Sequence, residues 1–205
     1  MRIGIYGGSF NPIHNGHIHV AKSAINDFRL DRVIFVPSRI SPHRSIDEYI
    51  PGSERVKLVR MAIKDDARMR CSDWELRQDR VSYTIFTVRH FRKKYPDADL
   101  FLLVGSDMLL SFDSWNSYQD ILAEAELIVV SRHDGDMAQL EAKAEELRRF
   151  GRISISCTPP LEISSSEIRK KIAKNEDFAC YLNESVVQYI GMMGYYKERG
   201  GIDNV

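Results

Sequence analysis

The chain has 205 residues, of which 43% are hydrophobic, so it can bury a sizeable core in one large domain or two small ones. Its 29 basic residues balance 29 acidic ones, which argues against partners such as nucleic acid or an anionic membrane that bind through bulk charge. The three cysteines form no CxxC pair, and no apolar stretch approaches the length of a membrane span. We therefore expect a cytoplasmic protein without structural zinc, membrane anchor or signal peptide.

The first predicted unit is a strand, a glycine turn and a helix. Ile3-Gly4-Ile5-Tyr6 is an apolar-alternating run, and apolar residues between Ile18 and Phe28 recur at helical spacing. Between these two segments, Gly7 and Gly8 let the backbone approach a ligand closely. The start of the helix also offers unpaired N–H groups to an anion.

Two histidines stand where this helix is predicted to begin. His14 and His17 are three residues apart, so both can face one phosphate if their backbone is near-helical. A metal cluster that adds His19 is the alternative, but neutral imidazoles beside a glycine turn fit a phosphate better. The stretch from Gly7 to His17 therefore predicts a nucleotide site.

The rest of the chain alternates strands and helices. Short apolar runs predict buried strands at Val33–Val36, Met69–Cys71, Leu100–Val104, Leu127–Ser131 and Ile153–Ser156. Periodic apolar positions predict a helix that Ser53 caps and that reaches Ile63. The same pattern predicts helices at Thr84–Tyr95, Tyr118–Ala123, Met137–Leu147, Ser165–Ala173 and Glu184–Ile190. This alternation predicts an α/β fold, a Rossmann-like doubly wound parallel sheet with helices on both faces and a small C-terminal helical extension.

No linker-like stretch interrupts the chain, so we expect one domain over residues 1–197 with its helical part from about residue 164. The glycine-containing end, residues 198–205, is expected to be a flexible tail, and Tyr195-Tyr196 to be peripheral. The polar segment from Ser38 to Tyr49 has the length and composition of a mobile lid.

Chemically distinctive residues follow the predicted strands. Parallel sheets bind ligands beyond the carboxyl ends of their strands, so these residues are expected to converge on one edge. They include donors for phosphate and, in Asp107, a carboxylate suited to a ribose hydroxyl, and they are Gly7, Gly8, His14, His17, Arg39, His43, Arg44, Gly105, Asp107 and Arg132.

The segment from Ser164 to Arg169 has the pattern of a helix start. Ser164 and Glu167 match a capping box, and Ile163 with Ile168 matches the flanking hydrophobic staple. Such a cap leaves other first-turn N–H groups and hydroxyls for phosphate oxygens, and Arg169 lies one turn further on, where it can add charge-assisted hydrogen bonds. The segment is therefore both a good helix start and a candidate phosphate clamp.

Two motifs together carry a resemblance to a known family. His14-Asn15-Gly16-His17 with Ile163-Ser164-Ser165-Ser166-Glu167-Ile168-Arg169 resembles the paired signature of the nucleotidylyltransferase superfamily. Within it, the stretch from Gly7 to His14 resembles the bacterial nicotinate mononucleotide adenylyltransferases. Further matches follow in the expected order along nearly the whole chain, namely Pro42-His43-Arg44, Ser82-Tyr83-Thr84, Gly105-Ser106-Asp107 with Trp115, and Tyr181-Leu182-Asn183 through Tyr189-Ile190. The departures from the family pattern are Ser9, Asn11, Ser41, Phe86 and Ser166.

This resemblance implies transfer of AMP from ATP to nicotinate mononucleotide, which gives nicotinate adenine dinucleotide and pyrophosphate in NAD biosynthesis. It implies Mg²⁺ that arrives with ATP, and no metal held by the protein alone. The partners are then the two nucleotides, with no nucleic acid and no membrane, while a homo-oligomer is left open. Transfer to another acceptor, such as phosphopantetheine or nicotinamide mononucleotide, and a non-catalytic nucleotide-binding module are the alternatives.

The resemblance also implies a role for each matching residue. Charge on the transferred group would be stabilised by the catalytic residues His14, His17 and Arg169. ATP would be bound by Gly7, Gly8, Ser9, Phe10, Gly105, Asp107, Ser164 and Ser165. The acceptor nucleotide would be bound by His43, Arg44, Thr84 and Trp115, although Trp115 also fits a surface-loop anchor and Arg44 a solvated charge.

Overall fold

The protein is described by a computed structural model, which covers residues 1–39, 50–131, 137–156, 158–159 and 161–197. Its strands are β1 (Arg2–Gly8), β2 (Arg32–Pro37), β3 (Met69–Cys71), β4 (Asp99–Gly105), β5 (Glu126–Val130) and β6 (Ile153–Ser156). The longer helices are α1 (Asn15–Asp27), α2 (Gly52–Ala62), α3 (Thr84–Lys94), α4 (Ser106–Leu110), α5 (Tyr118–Glu124), α6 (Met137–Leu147), α7 (Ser165–Ala173) and α8 (Glu184–Met193).

The six strands form one parallel sheet in the order β3-β2-β1-β4-β5-β6. The chain winds outward from β1 in one direction, then returns to β4 and winds in the other direction. β1 and β4 therefore flank the point where the strand order reverses, and a crevice opens there beyond their carboxyl ends. The predicted doubly wound α/β fold is confirmed.

Helices cover both faces of the sheet because the side chains of each strand alternate between two apolar layers. In β1, Ile3 and Ile5 point into the layer beneath α3, α4, α5 and α6. Tyr6 points into the opposite layer, with α1, α2, α7 and α8. The strands therefore read as continuous apolar runs, which is why their positions could be predicted from the sequence.

Two local predictions need correction. α2 begins at Gly52 with Pro51 as its N-cap, and the Pro51 carbonyl accepts the N–H groups of Glu54 and Arg55, so Ser53 lies inside the first turn and does not cap it. The short helix α4, which directly follows β4, was missed because its five residues are too few for a periodic pattern.

Several predictions fall on residues outside the described ranges. These are His43 and Arg44, most of the expected lid, Arg132, and the expected tail at residues 198–205. That residues 1–197 form one domain also stays a prediction. In the part of the chain that the structure describes, no helix is both long and apolar enough to cross a bilayer.

Candidate active site

Two cavities open at the carboxyl edge of the sheet, beside the point where the strand order reverses. The larger has a volume of about 400 Å³ and the smaller about 310 Å³, and Tyr6 lines both. The larger cavity, here called the ring cavity, brings together Gly7, Gly8, Ser9, Thr84, Gly105 and Trp115. The smaller, here called the histidine cavity, brings together His14, Gly16, His17, Ser164 and Glu167.

The paired imidazoles lie at the wall of the histidine cavity. His14 is the N-cap of α1 and has an extended backbone (φ −145°, ψ 171°), so the condition of a near-helical backbone is not met at this residue. The two rings are nevertheless adjacent, because their centroids lie 3.7 Å apart and the His14 backbone N–H donates to His17 Nδ1 at 3.2 Å. Since Nδ1 accepts this bond, a neutral His17 carries its proton on Nε2 and presents it as a donor.

Gly16 stands between the histidines for a steric reason. A Cβ at this position would lie 3.0 Å from His14 Nδ1 and 3.5 Å from Ile163 Cβ. A methyl group here would therefore crowd the His14 ring, while it would make only ordinary van der Waals contact with Ile163. His19 is not part of the pair, because its Nε2 contacts the Pro159 carbonyl at 2.8 Å.

Phe10 supports the site from behind. It adopts a left-handed backbone (φ 46°), and its side chain is 1% exposed. Its ring packs against Tyr6, Phe35 and His17 at centroid distances of 5.5, 5.5 and 5.0 Å. A non-glycine residue holds such a conformation only where its surroundings fix it, and here the aromatic cluster does so. Phe10 thus forms a buried wall beneath the histidine pair.

The start of α7 combines a helix cap with a contact to the segment between the glycine turn and His14. Ser164 Oγ accepts the backbone N–H of Glu167 at 3.2 Å and donates to the Glu167 carboxylate at 2.7 Å. Ser165 Oγ donates to the Pro12 carbonyl at 2.9 Å and is buried. These hydroxyls therefore hold α7 in place. The backbone N–H groups in the first turn of α7 have no partner within the helix, and they are the groups suited to phosphate oxygens.

Arg169 contacts the backbone of the segment between the glycine turn and His14. Its Nη1 donates to the Asn11 carbonyl at 3.0 Å, and its Nη2 lies 3.4 Å from Ser166 Oγ. Arg169 lies one turn into α7, and its guanidinium is partly buried. It reaches Asn11, which is three residues before His14 in the sequence. This contact brings Arg169 to the segment that leads into the histidines, as expected for the Ser164–Arg169 motif.

Thr84 and Trp115 lie in the ring cavity as expected, and Asp107 lies beside it. Thr84 is the first residue of α3, and it lines the cavity together with Ser82 and Tyr83, so the start of this helix lies at the cavity. Trp115 is half-buried, and its indole packs on Phe112 at 4.9 Å while it lines the cavity. Asp107 is exposed in the first turn of α4.

Arg55 is a buried cation that the sequence analysis missed. It is 2% exposed, and it donates to the carbonyls of Ser9 at 2.6 Å, Ser38 at 2.7 Å and Ile50 at 3.3 Å. These carbonyls belong to the turn after β1, the end of β2 and the segment before α2. Arg55 therefore joins the backbone of neighbouring loops at the carboxyl edge, and no local motif marks it.

Glu75 is a second buried charge that the sequence analysis missed. It is 6% exposed, lines the ring cavity, and accepts a hydrogen bond of 2.5 Å from Thr87 Oγ1. Burial raises the pKa of its carboxyl group, while hydrogen bonds from Thr87 and Ser82 and the charge of Arg55 oppose this shift. Glu75 thus braces the segment that contains Ser82 and Thr84.

Tyr196 corrects the expectation that the end of the chain is peripheral. Its hydroxyl donates to Asn11 Oδ1 at 2.8 Å, between the glycine turn and His14. Tyr196, which follows α8, therefore reaches the site.

The fold and the two cavities are those of a nucleotide-binding α/β enzyme. Comparison with known proteins identifies its family. A family model described as cytidylyltransferase-like matches residues 5–171, so the chain belongs to that family. A Clostridium tetani protein named "Probable nicotinate-nucleotide adenylyltransferase" is 35% identical over 195 residues, which cover 94% of this chain and 98% of that protein. A Clostridium acetobutylicum protein of the same name is 36% identical over 188 residues, which cover 91% and 94%.

Within the cytidylyltransferase-like proteins, the chain is a member of the nicotinate-nucleotide adenylyltransferases, and it is therefore a nucleotidyltransferase. The resemblance drawn from its motifs is confirmed. A solved structure of Plasmodium falciparum nicotinic acid mononucleotide adenylyltransferase complexed with NaAD superposes with a TM-score of 0.80 over 95% of this chain and 97% of that one. At 22% sequence identity, this likeness supports the fold.

Proposed function

We propose that this enzyme transfers the adenylyl group of ATP to the phosphate of nicotinate mononucleotide in NAD biosynthesis. The observation that carries the proposal is that two unlike cavities meet at Tyr6. The histidine cavity offers imidazoles and a helix start to phosphates. The ring cavity offers a half-buried indole and a second helix start to an aromatic ring that bears a charge.

The reaction makes few chemical demands on the protein. The attacking group is a phosphate monoester with a second pKa of about 6, so it is mostly dianionic at neutral pH and needs no base. Its oxygen bonds to the α-phosphorus of ATP, the bond from that phosphorus to the bridging oxygen breaks, and pyrophosphate leaves with the electron pair. Catalysis then rests on positioning and on neutralisation of charge.

The phosphate groups of ATP are assigned to the histidine cavity. His14 and His17 contact them, and the Nε2–H of His17 stabilises the charge that grows on the transferred group and on the leaving pyrophosphate. The first-turn N–H groups at Ser164 and Ser165 bind phosphate oxygens, and Arg169 adds positive charge next to them.

The remainder of ATP lies across the carboxyl ends of β1 and β4. Gly7, Gly8 and Ser9 form the floor beneath it, with Phe10 behind them, and Gly105 and Asp107 face its ribose. Mg²⁺ is the proposed cofactor, held by phosphate oxygens and water as this hard cation prefers, and it supplies neutralisation of phosphate charge when bound.

Recognition of the acceptor is assigned to the part of the ring cavity at Thr84 and Trp115, while its glycine edge lies under ATP. Trp115 stacks on the pyridine ring, and Thr84 with the neighbouring N–H groups of α3 binds the nicotinate carboxylate. The described residues that line this cavity include no Lys, Arg or His, so the start of α3 is its anion-binding feature. His43 and Arg44, outside the described ranges, are proposed to reach the acceptor phosphate.

The test is release of pyrophosphate from ATP with each candidate acceptor. We expect nicotinate mononucleotide to give the highest kcat/KM, because nicotinamide mononucleotide has no carboxylate for the start of α3 and phosphopantetheine has no pyridine ring for Trp115. A higher or equal kcat/KM with either of these would overturn the assignment. The His17→Ala variant, assayed in parallel, reports the background release.

A further inference from the structure

Asn11 is a buried point of contact between distant segments. Its side chain is 0% exposed, and it lies between the glycine turn and His14. Its Oδ1 accepts hydrogen bonds from the Tyr196 hydroxyl at 2.8 Å and from the Ile50 backbone N–H at 3.3 Å. An amide oxygen has two acceptor sites, so these donors together fix the orientation of the side chain.

The backbone of Asn11 makes a third contact, to the proposed phosphate clamp. Its carbonyl accepts the hydrogen bond of 3.0 Å from Arg169 Nη1. The side-chain anchor and the contact to Arg169 are therefore on the same residue. A change in the anchor that lets the Asn11 peptide rotate also moves the acceptor that holds the guanidinium.

Tyr196 reaches Asn11 because the chain turns back after α8. α8 ends at Met193, and Gly194 follows in the left-handed region (φ 66°), as does Tyr196 itself (φ 65°). The phenol is largely buried, and this burial raises its pKa, so the hydroxyl stays protonated and remains a donor.

We propose that Tyr196 is a positioning residue for adenylyl transfer, and that its hydroxyl acts through Asn11 to hold Arg169 at the phosphates of ATP. The inference rests on the proposed function, since Arg169 is assigned to ATP there. Tyr196 itself touches neither nucleotide. Among the described residues, Asn11, Arg169 and Tyr196 do not line the ring cavity, so the contacts assigned to the acceptor there do not depend on this hydrogen bond.

The neighbouring tyrosine gives a matched control. Tyr195 contacts Glu54 of α2 and packs near Tyr189 of α8, with ring centroids 6.3 Å apart, so its hydroxyl supports the α2–α8 interface. Tyr195→Phe and Tyr196→Phe each remove one phenolic hydroxyl from the same turn. Only the second removes a hydrogen bond to the catalytic segment.

The experiment measures kcat, both KM values, the Kd for ATP and the Tm of the two variants. Loss of one hydrogen bond corresponds to a factor of up to about ten, so we expect Tyr196→Phe to lower kcat about three- to tenfold with an unchanged KM for nicotinate mononucleotide. We expect Tyr195→Phe to keep kcat within about twofold of wild type, with a Tm similar to that of Tyr196→Phe. Equal kcat values for the two variants would overturn the proposal.

A double-mutant cycle tests the route through Arg169. If Tyr196 acts through that guanidinium, the effect of Tyr196→Phe on kcat shrinks in an Arg169→Lys background. Fully independent effects of the two substitutions would contradict the proposal. Failure of the proposed function is distinguishable, since the wild-type enzyme would then not use nicotinate mononucleotide, while the Kd for ATP still reports whether Tyr196→Phe disturbs the phosphate site.

Discussion

The guanidinium of Arg55 donates a hydrogen bond of 2.6 Å to the carbonyl of Ser9. This contact joins α2 to the turn after β1, and the same side chain also bonds the carbonyls of Ser38 and Ile50. A guanidinium has several donors in a fixed planar arrangement, so it can satisfy separate carbonyls that a single apolar side chain would leave buried without partners. Arg55 thus connects the stability of the fold with the geometry of the site.

Replacement of Arg55 by methionine is expected to destabilise the protein by about 3 kcal/mol, since it removes charge-assisted hydrogen bonds and leaves buried carbonyls unpaired. Urea denaturation measures this change in the free energy of unfolding. The control is Arg60→Met, on the exposed side of the same helix. If both variants unfold at the same urea concentration, Arg55 does not stabilise the loops.

The buried carboxyl of Glu75 should give stability a distinct pH dependence. Its folded-state pKa is raised above the ordinary 4.5 by burial, so the folded state binds the proton more tightly than the unfolded state. The resulting stabilisation is fully present below pH 4.5 and is lost as pH rises through the folded-state pKa. Glu75→Gln keeps the acceptor for Thr87 without the charge, so its stability relative to wild type should increase as pH rises above 4.5.

Urea unfolding of wild type and Glu75→Gln at a series of pH values measures that difference. Glu145→Gln, on the exposed face of α6, controls for loss of a surface carboxylate. A difference between Glu75→Gln and wild type that stays constant with pH would show that the carboxyl does not titrate abnormally.

The sequence was sufficient for the fold wherever local pattern and burial agree. The strands of a covered parallel sheet are apolar on both faces, so runs such as Leu100–Val104 are conspicuous. The spatial order of the strands is not local information, because each crossover can pass to either side of the sheet. The cap of α2 was wrong for a related reason, since Pro51 and Ser53 both suit a helix start and tertiary contacts decide between them.

The candidate site was predictable where one short segment carries its chemistry. His14, His17 and Ser164 belong to such segments, and the structure brings them to one cavity. Arg55 and Tyr196 were not predictable, because each binds a backbone or side chain more than 40 residues away. Buried polar residues of this kind look like ordinary surface residues in a sequence, and only the fold reveals their partners.

The glycine turn offers a test that separates binding from folding. Gly7 lines the ring cavity, and a Cβ there would meet no described atom within 4 Å, whereas a Cβ at Gly8 would lie 3.1 Å from the Phe10 ring. We expect Gly7→Ala to raise the KM for ATP about tenfold at unchanged Tm, since one added methyl group in a binding pocket has an effect of this size. Gly8→Ala should instead lower the free energy of unfolding by about 1 to 3 kcal/mol through overpacking. A lowered Tm for Gly7→Ala would contradict this division.

The role of His17 predicts a loss of turnover rather than of binding. His17→Ala removes the Nε2–H donor, and removal of one such donor costs about 10²- to 10³-fold in kcat in comparable sites. ATP affinity, measured by calorimetry, should fall only modestly because the helix starts and Arg169 remain. His19→Ala, whose ring bonds the Pro159 carbonyl instead, is the control. Unchanged turnover in His17→Ala would end its assignment as a charge stabiliser.

Trp115 tests whether the ring cavity holds the acceptor rather than ATP. Its indole lines that cavity and is absent from the histidine cavity, so Trp115→Ala should raise the KM for nicotinate mononucleotide by about ten- to a hundredfold and leave the KM for ATP nearly unchanged, as expected from loss of one aromatic stacking contact. Trp74→Ala is the matched control, because that indole stacks on His90 at 4.4 Å and does not line the ring cavity. A rise in the KM for ATP alone would instead place the adenine base against Trp115 and reverse the assignment of the two cavities.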